Sequence, residues 1–156
     1  MVRSHRRIRL RGRPGHRVTH IISQIPHSSQ RYETVGDWIP GNPVRILVSS
    51  MRDERYSFLV ALHEMIESEL CRMNGISDNK VVEFDMNFEK ERQARLHSLD
   101  AEPGDDPRAP YREEHGFATM IERMVARKMG VSWPAYEKAV LALGPQRLPI
   151  RPLLRN

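Results

Sequence analysis

The sequence predicts an α+β fold: a small N-terminal β-sheet of about three strands packed on three to four helices, with the central helix carrying a cluster of ionisable side chains. Three observations point there. Short β-branched runs bounded by proline and glycine fill residues 18–48. From Asp53 onward the apolar residues recur at helical spacing, in segments separated by glycine and proline signals. The chain of 156 residues has the length of one domain and enough of it for a core. The organisation expected is a basic arm over residues 1–17, a single domain over 18–144 and a basic, proline-containing tail over 145–156.

The strands come first. Over 18–26, Val18, His20, Ile22 and Gln24 alternate with Thr19, Ile21, Ser23 and Ile25 before Pro26, which is a strand pattern. His20 and His27 are expected to be ordinary strand or surface residues. A second strand is expected over 32–39, with Gly36-Asp37 as a turn signal, and Pro40-Gly41-Asn42-Pro43 is a loop. Val44-Arg45-Ile46-Leu47-Val48 has the clearest strand pattern and runs almost directly into the first helix.

That helix is expected from about Asp53 to Asn74, on the spacing of Tyr56, Leu59, Val60, Leu62, Met65, Ile66 and Leu70, with Asn74-Gly75 as its stop. Ser77 and Asp78 suit the start of a second helix, to about Arg95, with Val81, Val82, Phe84, Met86 and Phe88 as its apolar positions. Residues 98–110 hold three prolines, a glycine and several acids. This is a long loop for a compact domain, and such loops are usually functional or disordered. Its acids lack the alternating spacing of an EF-hand, so calcium is not expected. Pro110 suits the first position of a third helix, to Met129, with Tyr111, Glu114, Ala118, Ile121 and Val125 inward, widened by Phe117, Met120 and Met124. A last helix, 133–143, follows Ser132, and Trp133, Tyr136, Val140 and Leu143 should pack as core.

Charge is unevenly placed. Residues 1–31 hold eight arginines and no acid, whereas the rest of the chain carries 17 basic against 20 acidic residues. An arm with Arg6, Arg7, Arg9, Arg11 and Arg13 suits contact with nucleic-acid phosphates, or with a virion or other protein partner. No aromatic residue is interleaved to stack on bases, which counts against a dedicated single-strand binder. Cys71 is the only cysteine, so an internal disulfide and a thiolate-clustered metal site are both excluded. No apolar run reaches the roughly 18 residues of a membrane span, and no signal-peptide core follows the basic start. A cytoplasmic protein is expected, in the host cytoplasm or virion if phage-encoded. Oligomeric state is not legible.

The chemistry-bearing stretch is Val60-Ala61-Leu62-His63-Glu64-Met65-Ile66-Glu67. His63 and Glu67 are one helical turn apart and project from one face, as half of a metal site requires. Asp85 lies on the apolar stripe of its helix. A carboxylate aimed inward is costly unless a cation compensates it. Asp85 is therefore a candidate ligand, or an acceptor that orients a ligand histidine.

The octapeptide resembles the zincin metallopeptidase signature, H-E-x-x-H, with Glu67 at the second ligand position and Glu69 where an apolar residue is usual. Zinc accepts carboxylate oxygen as well as imidazole nitrogen in catalytic sites. The resemblance implies Zn²⁺ as cofactor, Glu64 as the carboxylate that activates water, a sheet backing the helix, an edge strand holding a peptide substrate, and a third ligand from a later helix. His115 is the candidate for that third ligand. Glu114-His115-Gly116-Phe117-Ala118 also resembles the third-ligand helix of short gluzincin-type proteases of phage and mobile elements, although acid and histidine do not align cleanly with that pattern. Two other readings stand beside this one. The arginine arm can make a non-enzymatic nucleic-acid-associated or phage structural protein, or Glu64, Glu67, Asp85 and Glu89 can form a Mg²⁺-binding acidic cluster.

Overall fold

The computed structural model describes residues 18–143, and the fold is α+β as expected. The basic arm with its arginines and the tail lie outside the described residues. Three strands, β1 (His20–Ile25), β2 (Gly36–Ile39) and β3 (Val44–Ser49), form one sheet in the order β1-β3-β2. β3 is central, parallel to β1 with Ile22 opposite Ile46, and antiparallel to β2 with Trp38 opposite Ile46. Val44, Ile46 and Val48 alternate inward and are buried, while Arg45 between them is exposed.

Gly36-Asp37 is not a turn but the start of β2, a correction with two physical causes. Gly36 has no side chain, and a Cβ there would run into the Glu64 carboxylate. Asp37, 2% exposed, is compensated by a bidentate pair with Arg31, at 2.6 and 2.8 Å. Arg31 reaches on to Asp78, at 3.2 Å, and to the carbonyl of Trp38. Residues 32–35 are outside the strand.

Helix α1 (Glu54–Asn74) follows β3 after a short connection. The Asp53 side chain accepts from the Arg55 amide as its N-cap, and Gly75, at φ 73°, closes it in the left-handed conformation. Leu59 and Val60 pack in the core with Ile46 and Val48. Helix α2 (Asp78–Gln93) follows, then helix α3 (Arg112–Lys128) and helix α4 (Trp133–Leu141). No described helix is long and apolar enough to cross a membrane.

Two expectations about α3 are corrected. Tyr111, not a residue before Pro110, is its N-cap, and Pro110 lies in the preceding turn. Its buried face runs through Glu114, His115, Ala118, Glu122 and Ala126, whereas Phe117, Met120 and Met124 are exposed. The helix is rotated from the purely apolar choice because Glu114, His115 and Glu122 find polar partners inside. In α4, which ends at Leu141, only Tyr136 is fully buried; Trp133 and Val140 are half-buried, as is Leu143 beyond its end. Cys71 is buried as a small apolar residue, and burial pushes its thiol up to about 12.

The loop over 98–110 is ordered against α2 and carries one 3-10 turn, Pro103–Asp105. Arg108 forks onto Glu91 at 3.1 and 2.7 Å, His97 meets Glu91 at 2.7 Å, and the His97 ring stacks on Phe88. These contacts make the segment a strap laid beside the start of α3.

Candidate metal centre

Three side chains converge where α1 meets α3. His63 Nε2 lies 3.2 Å from Glu67 Oε2 and 3.1 Å from His115 Nδ1, and His115 Nδ1 lies 3.1 Å from the same Glu67 oxygen. His63, Glu67 and His115 could together hold a metal ion, and they are the one such group among the described residues. All three are buried, at 9%, 5% and 8% exposure.

The geometry fits a cation. A tetrahedral ion with bonds of about 2.0–2.1 Å separates its ligand atoms by about 3.3–3.4 Å, close to all three edges of this triangle. Protons alone do not satisfy it. If both imidazoles donate to Glu67, their N–H groups face each other across 3.1 Å. If one imidazole donates to the other, the acceptor lone pair faces the carboxylate. With Glu67 ionised one edge is repulsive in either arrangement, and a shared cation removes the conflict.

Electrostatics agree in sign. Burial draws the His63 imidazole down, but hydrogen bonds to Glu122 and Glu67 more than reverse this, and its pKa stands well above the ordinary value. For His115 burial again lowers, while Glu102 and Glu67 raise, and the result is pushed up to about 9. Burial raises Glu67, yet hydrogen bonds from His115 and His63 hold it down at about 2. So the metal-free cluster keeps protons on nitrogen that a cation would displace.

Glu64, one residue round from His63, lies against the bare α-carbon of Gly36 on β2. Burial pushes its carboxyl well above the ordinary range and the Glu67 charge adds to this, against the two histidines. A carboxyl raised in this way beside a metal-type cluster has the character of a proton-transfer group.

Asp85 does not join the triangle. Both its oxygens face phenols: Tyr111 donates to Oδ1, and Tyr32 reaches Oδ2 at 3.5 Å. It therefore orients neither ligand histidine directly, although Tyr111 stands edge-on to His115 with ring centres 6.1 Å apart. The four-acid Mg²⁺ cluster is not formed either, because Glu89 pairs with Arg92 at 3.1 Å and Asp85 with the tyrosines.

Sequence reasoning missed the residues behind the ligands. Glu122 Oε2 meets His63 Nδ1 at 3.0 Å, and Tyr136 on α4 donates to the other Glu122 oxygen. Glu122 follows His115 by seven residues, two helical turns, so it shares that face of α3, and this spacing was a usable signal. On the strap, Glu102 faces His115 Nε2 at 3.4 Å, an ion-pair contact rather than a good hydrogen bond. Gly104 sits flat on the His115 ring, where any Cβ would overlap it. The strand beside Glu64 is also less open than expected of a substrate-holding edge. The Gly36 and Trp38 carbonyls of β2 already accept from Thr34 and Arg31.

No protein-family model, curated protein or solved structure matches this chain, so its chemistry has to be taken from these side chains themselves.

Proposed function

We propose that the protein is a zinc-dependent hydrolase of the zincin type acting on peptide-like amides, with His63, Glu67 and His115 as ligands and Glu64 as general base. The observation that carries this is the ligand triangle, with edges of 3.1–3.2 Å, formed by an i,i+4 pair and a histidine from another helix. The resemblance of His63-Glu64-Met65-Ile66-Glu67 to H-E-x-x-H supports the choice of zinc and of amide hydrolysis. A zinc ion bound there supplies Lewis acidity and an acidified water. Glu64 takes the proton from the attacking water and returns it to the leaving nitrogen, a role suited to a carboxyl whose pKa burial has raised. His63 and His115 serve as neutral ligands, with Glu67 as the anionic one.

Protein purified without added zinc should contain about one equivalent of metal by elemental analysis. Ala at His63 or His115 should abolish this. Glu64→Gln should keep the metal and lose turnover of a fluorogenic peptide library. Metal-free wild type whose melting temperature zinc leaves unmoved would defeat the proposal.

A further inference from the structure

We infer that Glu122, backed by Tyr136, is a positioning residue that sets the tautomer and basicity of His63, so that Nε2 presents its lone pair to the cation. The inference rests on the metal-site reading above and adds a second layer to it. Glu122 is 5% exposed, and both its oxygens are engaged: one by His63 Nδ1 at 3.0 Å, the other by the Tyr136 hydroxyl. A carboxylate buried this deeply is costly when its partners are a neutral imidazole and a neutral phenol. Its cost is offset if the far side of that imidazole carries positive charge. Glu67 and Glu122 together bring two negative charges to His63, and one divalent ion balances both.

Direction follows from the ring. An imidazole whose Nδ1 donates to a carboxylate has its lone pair on Nε2, and Nε2 is the atom that faces Glu67 and His115. The carboxylate also makes Nε2 a stronger donor to a metal. The two ligand histidines differ here. Behind His63 stands a buried acid with its own phenol donor. Behind His115 stands Glu102, whose side chain is 56% exposed and sits 3.4 Å away. The dominant control is therefore on His63, and it comes through α3 and α4 rather than through α1, which carries the ligand.

The test is zinc affinity of the full chain by competition with a chelating fluorophore, together with long-range ¹⁵N–¹H NMR of the histidines in the zinc-loaded state. Glu122→Gln should weaken zinc binding about ten- to a hundredfold and move the His63 Nδ1 resonance. Tyr136→Phe should weaken it about threefold in the same direction, and Glu102→Gln should do less than either. A Glu122→Gln chain that melts lower with and without zinc alike, yet binds zinc within twofold of wild type, would overturn the inference and leave the metal site standing. If Glu122→Gln does not fold, Tyr136→Phe decides: unchanged affinity with an unchanged His63 Nδ1–H signal overturns it. Wild type that binds no zinc would instead remove the metal-site reading itself.

Discussion

Gly116 adjoins His115 in sequence, Gly104 adjoins it only in space, and the two glycines have opposite surroundings. An added Cβ at Gly104 would stand inside the His115 ring, whereas at Gly116 it would meet nothing within 4 Å. Gly104→Ala should therefore push the imidazole off its ligand position and lower zinc affinity at least about tenfold, in line with disturbed support of a ligand. Gly116→Ala, in an exposed turn of α3, should leave zinc affinity alone and stabilise the chain by about 0.5–1 kcal/mol through helix propensity. Chelator competition and thermal melts on the two variants separate these outcomes. At this level the sequence was legible for His63, Glu64 and Glu67, because one helical turn fixes their relation. It was legible for His115 only through resemblance, since the packing of α3 on α1 brings together residues 48 positions apart. The role of Asp85 was misjudged. Its inward direction was right, but two phenols answer the buried carboxylate.

The elements divide by what controls them. β3 and α1 follow from local patterns, the alternation Val44-Ile46-Val48 and the cap at Asp53 with Gly75, and both appear where those patterns put them. β2 starts only at Gly36, and two of its three buried residues are a glycine and an ion-paired aspartate beside the core residue Trp38, a pattern no apolar periodicity marks. The same holds for α3, where spacing of apolar letters chose Phe117, Met120 and Met124 while the buried row is partly ionic. The Arg31–Asp37 pair joins β2, the segment before it and the start of α2, so its loss should be felt by all three. Arg31→Ala leaves Asp37 buried without its countercharge. The expected cost is about 2–3 kcal/mol, below that of a fully buried pair because the Arg31 side chain is 36% exposed. Urea denaturation checks this, and a loss under about 0.5 kcal/mol would mean the pair is decorative.

Across the domain, the protonation shifts make stability depend on pH in a way that metal should reverse. His63 and Glu64 are raised, His115 is pushed up to about 9, and burial carries Asp85 to about 7 against the Tyr111 bond. Each of these groups binds protons more tightly folded than unfolded. Each therefore contributes stability that is full below its unfolded pKa and is lost as pH rises through the folded one. Glu67, held at about 2, acts oppositely and only below about pH 4.5. Metal-free protein should thus melt higher near about pH 4.5–5 than near about pH 8.5. With zinc the order should invert, because the cation competes with protons for the same nitrogens. Melts at the two pH values with zinc or chelator measure this. Parallel curves would show that the histidines do not titrate with the metal.

The position of the ligands along the chain also has a consequence for synthesis on the ribosome. His63 and Glu67 lie in the β3–α1 unit, which is complete once Asn74 has emerged, whereas His115 arrives 48 residues after Glu67. A nascent chain offers an ion only two donors until α3 docks. If a metal binds there, its capture by all three groups waits until α3 packs on α1, so the ion fastens that contact instead of nucleating it.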